Sequence, residues 1–329
     1  MNQVYRRFVA LVTLLGLAIL TSSCVKKKEQ LGHEIEYPYQ VTCTVGMIST
    51  LAKAIGGTHV AVDTLVGSGI DPHSYRPTKT DIDTINTAQV VFYNGHLLEG
   101  KMGEVLESAK TDWKPVIAVS EKLSDYQIIG GDSHPDPHVW MDPAGWSKAA
   151  KVIADSLAAF DPTNADEYQH NYNILATRLT ALDGYARSSL ATIPEGQRVL
   201  VTAHDAFSYL GRAYNLEVRG IQGISTESEA GLQEINQLVD YLVEKKIPAV
   251  FVESSVSPKS VQALVEGAKA KGHEVVVGGE LFSDAMGAPS TYEGTYEGMI
   301  DHNITTITRA LGGQAPEGGL NNKLEAVAE

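Results

Sequence analysis

The sequence predicts an α/β fold with two lobes, each a mostly parallel sheet flanked by helices, joined by one long rigid helix. Three observations support this prediction. The chain has 329 residues, which is enough for two domains at roughly 100–200 residues each. Short β-rich runs alternate with helical patterns in both halves, and this alternation favours parallel sheets covered by helices. Between the halves, residues 143–193 contain no convincing strand.

Residues 1–23 are typical of a secretory signal, with a basic start, a 13-residue apolar run over residues 8–20 and small residues before Cys24. The run is shorter than the roughly 20 apolar residues that a transmembrane helix needs. Small residues followed directly by cysteine resemble the bacterial lipobox, in which the cysteine becomes the N-terminus and carries lipid. We therefore expect a lipidated Cys24, a tether over residues 24–37, and an extracytoplasmic protein that is a membrane-anchored lipoprotein or periplasmic. Ordinary signal cleavage nearby is the alternative.

The N-terminal α/β lobe is predicted over residues 38–162. Short runs rich in β-branched and aromatic residues indicate its strands, and the segments between them have helical patterns. The predicted strands cover residues 39–45, 60–65, 89–93 and 115–119, and the predicted helices cover residues 47–55, 79–87 and 101–110.

A linking helix is predicted over residues 163–194. Pro-Thr-Asn at 162–164 offers a break and a cap, and apolar residues then recur at spacings of three and four from 168 to 185, which gives one helical stripe. Pro-Glu-Gly at 194–196 ends the helix. At 1.5 Å per residue the helix is about 40 Å long. Because it contains no internal proline, we expect a stiff connection and little domain closure.

The C-terminal α/β lobe is predicted over residues 195–312, where the alternation of strand and helix patterns resumes. The Gly-rich, polar residues 313–329 predict a flexible tail. The predicted strands of this lobe cover residues 198–202, 217–220, 248–253 and 274–277, and its predicted helices cover residues 205–213, 232–245, 257–271 and 292–311.

Composition and charge narrow the function classes. Hydrophobic residues make up 43% and charged residues 20% of the chain, which is globular composition and excludes collagen, coiled coil and wholesale disorder. A net charge of −14 argues against a dedicated nucleic-acid binder, which would usually be basic. Cys24 and Cys43 are the only cysteines, so a cysteine-based zinc site or a disulfide scaffold is excluded.

The loops that follow the predicted strands carry histidine. Ligands of open α/β sheets bind outside the carboxyl ends of the strands, and His73, His138 and His204 lie in three such loops, while a fourth offers Asp284. Imidazole nitrogen and carboxylate oxygen suit a divalent transition metal. Asp-Pro-His occurs twice, and its proline restricts the loop before each histidine, as suits a preorganised ligand. The alternative is that each histidine is an ordinary polar loop residue.

Other residues near these loops are weaker candidates. His134 precedes His138 by four residues, but two intervening prolines preclude a helical pair. His96 follows the third predicted strand and could line the cleft. Glu253, at the end of a strand in the second lobe, has two interpretations, as a residue that supports a ligand or as a helix cap.

Several of these segments together resemble the zinc- and manganese-binding solute-binding proteins of bacterial ABC importers. The resemblance covers about residues 38–312 and rests on separate motifs in the family's order. The motifs are residues 71–78, 138–143, 203–207, 223–227 and 280–286.

The resemblance implies that the metal lies in the cleft between the two lobes, which a rigid helix links. It implies high-affinity binding of one divalent transition-metal ion outside the cytoplasm and its delivery to the membrane permease of a metal ABC importer. Zinc is favoured and manganese is the alternative. The implied ligands are His73, His138, His204 and Asp284.

Two features of the sequence leave the choice between zinc and manganese undecided. Many zinc-specific members carry a long His- and acid-rich loop before the second ligand, whereas residues 126–134 form a short segment with one histidine. Manganese-leaning members often have Glu where this chain has His204.

Four protein ligands with no open position describe a capture site rather than a catalytic one, so we expect a binding protein and no enzyme. A secreted zinc hydrolase is the alternative; it would need an open position, a water and a general base. A surface adhesin with the same fold is a further alternative. We also expect a monomer that contacts the lipid bilayer through lipidated Cys24 and binds no nucleic acid.

Overall fold

A computed structural model describes residues 35–131 and 134–324. The predicted signal over residues 1–23, Cys24 and the last five residues of the predicted tail lie outside the described residues. Within the described ranges, no helix combines the length and the apolar character that crossing a membrane requires.

The N-terminal lobe is built on four parallel strands in the spatial order β2-β1-β3-β4. The central strands β1 and β3 are mostly buried, as expected where helices cover both faces of a parallel sheet. All four strands end at the same edge, because they run in the same direction. The strands are β1 (Tyr39–Cys43), β2 (Val60–Thr64), β3 (Val90–Tyr93) and β4 (Val116–Ala118), and the connecting helices are α1 (Gly46–Gly56), α2 (Lys79–Thr87) and α3 (Gly103–Ser108).

Two long helices, α4 (Pro143–Phe160) and α5 (Ala165–Leu190), follow the first sheet and pack against each other. This segment contains no strand, as predicted, but α4 was not predicted. The signals for α4 are local: Asp142 accepts a hydrogen bond from the Ala144 amide at 3.0 Å, and Pro143 occupies the first turn, where a helix needs no N–H donor.

The C-terminal lobe contains two parallel strand pairs, β5–β6 and β7–β8, with β5 lying beside β7. Apolar side chains of these strands and of α7 and α8 form its core. The strands are β5 (Val199–His204), β6 (Glu217–Gln222), β7 (Ala249–Glu253) and β8 (Val276–Leu281), and the helices are α6 (Ser208–Tyr214), α7 (Leu232–Lys245), α8 (Lys259–Ala270) and α9 (Tyr296–Ala310).

Helix α5 lies between the lobes and contacts both, which confirms the predicted architecture. Against α1, Asn171 Nδ2 donates to the Ile55 carbonyl at 2.9 Å. Against α9, the hydroxyls of Tyr185 and Thr305 lie 2.7 Å apart. The predicted apolar stripe is buried at Tyr168, Leu175, Leu179, Leu182 and Tyr185.

Strand β8 continues beyond the end predicted at residue 277. The pattern stops there because two glycines follow, yet the strand runs through them to Leu281. A Cβ at Gly278 would lie 2.8 Å from the Ala310 Cβ and 2.9 Å from the Phe251 ring. The missing side chain therefore lets α9 approach the strand.

The chain that follows α9 folds back onto that helix. The Leu320 amide donates to the two carboxylate oxygens of Asp301, at 2.9 and 3.0 Å, and the Gln314 amide donates to Thr192 Oγ1 at 2.7 Å. These contacts belong to the described part of the predicted flexible tail, whose flexibility stays a prediction.

Candidate metal centre

Four buried side chains that were singled out from the sequence converge in the cleft. Their ligand atoms all lie within 4.8 Å of one another. Among the described residues, this is the one group of three or more His, Cys, Asp or Glu side chains that could hold a metal ion. His73 is 5% exposed, Asp284 is 1% exposed, and the other two are fully buried. The group consists of His73, His138, His204 and Asp284.

The centre of the group is His138. Its Nε2 lies 3.3 Å from Nε2 of His73 and 3.4 Å from Nε2 of His204. The Asp284 carboxylate faces the same three nitrogens, with Oδ1 3.2 Å from His138 and Oδ2 3.1 Å from His204. His73 is the most distant, 3.8 Å from Oδ2. Three ring nitrogens and one carboxylate therefore point at one small volume.

Each lobe supplies two of these side chains from loops or strand ends at the carboxyl edges of its strands. His73 lies in the loop after β2, and His138 lies after β4, directly before a short 3₁₀ turn. His204 is the last residue of β5, and Asp284 follows the end of β8. The site thus forms only where the two lobes meet.

Asp136 fixes the orientation of the His138 ring. Its Oδ1 accepts the His138 amide at 2.9 Å and the ring Nδ1–H at 2.8 Å. A proton held on Nδ1 leaves the Nε2 lone pair free to bind a cation. No role was predicted for Asp136, although its position two residues before a histidine repeats that of Asp71.

Glu253 does the same for His204. Its Oε1 accepts the His204 amide at 2.8 Å, and its Oε2 accepts the ring Nδ1–H at 2.6 Å. Two interpretations were given for Glu253. This geometry fits the one in which Glu253 supports a metal-ligand side chain, here His204.

Asp71 holds His73 differently. Its Oδ1 accepts the His73 amide at 2.8 Å. Its Oδ2 accepts the Ser74 hydroxyl at 2.9 Å and the Thr226 hydroxyl at 2.6 Å. The Asp71 carboxylate therefore binds the His73 backbone and a hydroxyl of the other lobe, and does not accept a hydrogen bond from the His73 ring.

These surroundings separate the histidine pKa values. Burial lowers the pKa of His73 to about 4. Burial opposes the charge on His138 as well, but the carboxylates of Asp136 and Asp284 outweigh it and raise the pKa of His138 to about 9. The pKa of His204 is also raised, because Glu253 and Asp284 outweigh its burial.

Asp284 is a buried carboxylate whose surroundings favour a bound cation. Burial alone would raise its pKa, but the charges of His204 and His138 hold the pKa well below its usual range. Apart from the Nε2 atoms of His138 and His204, the described residues offer neither of the two buried carboxylate oxygens a hydrogen-bond partner. Since buried carboxylates are normally hydrogen-bonded or coordinate a metal, this donor set fits a divalent ion.

Two aromatic residues tie the ligand loops across the cleft. Trp140 lies beside His138, with ring centroids 5.2 Å apart, and its Nε1 donates to the Ser283 carbonyl at 2.9 Å. Tyr209 of α6 donates to the Asp136 carbonyl at 2.7 Å. The loops of His138 and Asp284 are therefore held to each other and to the second lobe.

The weaker candidates do not join the group. The His96 ring contacts the Ser120 carbonyl at 3.2 Å instead. His134 also lies outside the four-residue group.

The sequence matches the family described as zinc-uptake complex component A, periplasmic (ZnuA), over residues 41–310. The chain belongs to the ZnuA family. Proteins of this family bind a solute for metal uptake and are not enzymes, so the expected binding function is confirmed and the hydrolase alternative is not favoured.

Individual relatives of this ZnuA-family chain carry names with different metals. The manganese-binding lipoprotein MntA of Bacillus subtilis (strain 168) is 47% identical over 85% of this chain and 92% of its own length. The zinc-binding protein TroA of Treponema pallidum (strain Nichols) is 43% identical over 82% of this chain and 88% of its own length.

Solved structures show the same fold. The periplasmic zinc-binding protein TroA from Treponema pallidum superposes with a TM-score of 0.81 at 43% identity, over 83% of this chain and 99% of that chain. The Fe(III)-bound YtgA from Chlamydia trachomatis superposes with a TM-score of 0.76 at 28% identity, over 84% and 99% respectively.

Proposed function

We propose that this protein captures one divalent transition-metal ion outside the cytoplasm and hands it to the membrane permease of an ABC importer. One observation carries the proposal: three imidazole nitrogens and a buried carboxylate face the same point, and the described residues offer that carboxylate no partner besides these imidazoles. Four protein ligands make a closed site, which suits capture rather than catalysis. The relatives named as metal-binding lipoproteins support the same function.

The proposed ligands are Nε2 of His73, His138 and His204 together with the carboxylate of Asp284. The carboxylates behind His138 and His204 support this assignment, because ligating histidines generally donate their second N–H to such a group. Both lobes are needed, so an ion held here also links them.

We favour zinc as the ion that binds more tightly. A tetrahedral zinc site with metal–nitrogen distances of about 2.0–2.1 Å has ligand atoms separated by about 3.3–3.4 Å. The separations about His138 Nε2, 3.3 Å to His73 and 3.4 Å to His204, agree with this value. Manganese prefers oxygen ligands and stands lower in the divalent affinity order. A bidentate Asp284 would raise the coordination number and soften the preference.

The remaining expectations complete the proposal. The lipid of Cys24 anchors the mature chain to the bilayer, residues 24–37 form the tether, and the protein acts as a monomer. The lobes span residues 38–162 and 195–312, on either side of the linking helix over residues 163–194.

Elemental analysis of protein purified without added metal, followed by competition between zinc and manganese, tests the function. We expect one ion per chain and tighter binding of zinc. His138→Ala should abolish tight binding, whereas His170→Ala, at an exposed position of α5, serves as the matched control and should bind as the wild type does. Wild-type affinity in His138→Ala would refute the site, and tighter binding of manganese would refute the metal preference.

A further inference from the structure

The loop after β6, residues 223–231, reaches across the cleft to the first lobe; we call it the cleft strap. Two of its adjacent residues make contacts there. The Thr226 hydroxyl donates to Asp71 Oδ2 at 2.6 Å, and the Glu227 carboxylate pairs with Lys101 Nζ at 2.6 Å. The strap therefore joins the second lobe to two different loops of the first.

The Thr226 contact is connected to a proposed metal ligand by one residue. The carboxylate of Asp71 receives Thr226 on one oxygen and the His73 amide on the other. Movement of the strap therefore changes the carboxylate that holds the His73 backbone. Among the four proposed ligands, His73 is also the most exposed, at 5%, so its side of the site is the one nearest to solvent.

The two strap contacts differ in expected strength. Thr226 and Asp71 are half-buried, and a hydrogen bond to a charged group is among the stronger kinds. Lys101 and Glu227 are 41% and 46% exposed in their side chains, and exposed ion pairs contribute little. The Thr226 hydroxyl is therefore the main contact of the strap.

We propose that Thr226 is a positioning residue that acts through Asp71 on His73, so that the cleft strap must detach before the bound ion can leave. This inference rests on the proposed metal capture and adds to it the contact that sets the rate of release. It also makes a lobe-two residue the support of a lobe-one ligand, which couples ion release to separation of the two loops.

The test measures zinc dissociation by stopped-flow transfer to an excess of a chromogenic chelator. Thr226→Val and Thr226→Ala remove the hydroxyl and should speed zinc release by about tenfold, since a hydrogen bond to a carboxylate is lost. Thr226→Ser keeps the hydroxyl and should restore the wild-type rate. Ser228→Ala, within the same strap, is the matched control, and Lys101→Gln should raise the rate less than Thr226→Val does.

The outcomes separate the strap from the metal site itself. If the wild type binds no zinc, the proposed function fails. If the wild type binds zinc but both hydroxyl-deleted variants release it at the wild-type rate, the strap proposal is overturned. Melting temperatures of the ion-free variants identify a general loss of folding, and a Thr226→Ser variant as fast as Thr226→Val would assign the effect to packing instead and refute the proposal.

Discussion

The two Asp-Pro-His sequences, residues 71–73 and 136–138, hold their histidines in the same way at the backbone and in different ways at the ring. In both, aspartate Oδ1 accepts the histidine amide, at 2.8 Å for His73 and 2.9 Å for His138. Asp136 also accepts the ring Nδ1–H of His138. Asp71 instead turns its second oxygen toward the opposite lobe, where it meets Thr226.

Burial accounts for the difference. Asp136 is fully buried beside its histidine, whereas Asp71 is half-buried and has hydroxyl donors within reach. The tripeptide thus fixes the position of the histidine backbone. The surroundings of the aspartate determine whether its carboxylate also accepts a hydrogen bond from the histidine ring. The result is a His138 with a pKa of about 9 and a His73 with a pKa of about 4.

Removing either ring should have the largest effect. We expect His138→Ala and His73→Ala each to weaken zinc binding by more than about 100-fold, because loss of a supporting residue alone costs about 10–100-fold. The loss should be larger for His138, whose Nε2 is close to all three other groups. Competition with a chelator of known affinity measures both, and a larger loss in His73→Ala would contradict the central place given to His138.

Substitution of the carboxylates should have different effects in the two Asp-Pro-His loops. Asp136→Asn keeps the side-chain oxygen that caps the His138 amide but removes the charge beside the ring, and should weaken zinc binding by about 10–100-fold. Glu253→Gln should act similarly through His204. Asp71→Asn should cost less, because Asp71 makes no ring contact among those described. Equal losses in Asp71→Asn and Asp136→Asn would remove the distinction.

Acid should release the ion. The pKa values of His138 and His204 set the pH range over which this happens. Histidine must lose a proton from Nε2 to bind metal. Since the ion-free pKa of His138 is about 9 and that of His204 is raised, zinc binding at pH 7 displaces protons, and affinity should rise from pH 7 to 9. His73, with a pKa of about 4, is already neutral over this range.

Zinc affinity between pH 5 and pH 9 measures this dependence. The reference pKa near 6.5 would confine it to below about pH 6, and the raised values extend it upward. We expect about a tenfold loss per pH unit for each proton displaced. An affinity that is constant from pH 7 to pH 9 would contradict the raised pKa of His138.

Domain movement should give the smallest effect. Because α5 packs against both lobes, we expect little change in radius of gyration on zinc binding, with differences concentrated in the loops of His204 and Asp284. Small-angle scattering with and without zinc measures this. A large fall in radius of gyration would show that α5 is not rigid.

The four-residue group could be predicted from the sequence because its signal is local. His204 ends β5 and Asp284 closely follows β8, whereas His73 and His138 lie in longer loops after β2 and β4. This placement agrees with the rule that ligands of α/β sheets bind at the carboxyl edge of the strands. The four strands of the first lobe could be predicted for a similar reason, since each is a short run rich in β-branched and aromatic residues.

The supporting residues were harder to predict. Asp71 and Asp136 stand in identical tripeptides, and only the tertiary surroundings show which carboxylate meets a ring. Likewise Thr226 contacts Asp71 across 155 positions of sequence, a pairing that no local pattern contains. The extent of β8 depended on the approach of α9 to Gly278, which is again a long-range fact.

The contacts of α5 with both lobes have a consequence for how the family diversifies. If α5 keeps the frame fixed, the choice of ion rests with a few side chains at loop ends, and we expect one substitution at a proposed ligand or at its supporting carboxylate to alter selectivity without rebuilding the cleft. TroA and YtgA, which both have the fold of this chain, carry names with zinc and with iron. In such a scaffold, we expect the four side chains that face the ion to be a better guide to the cargo than the name of a relative.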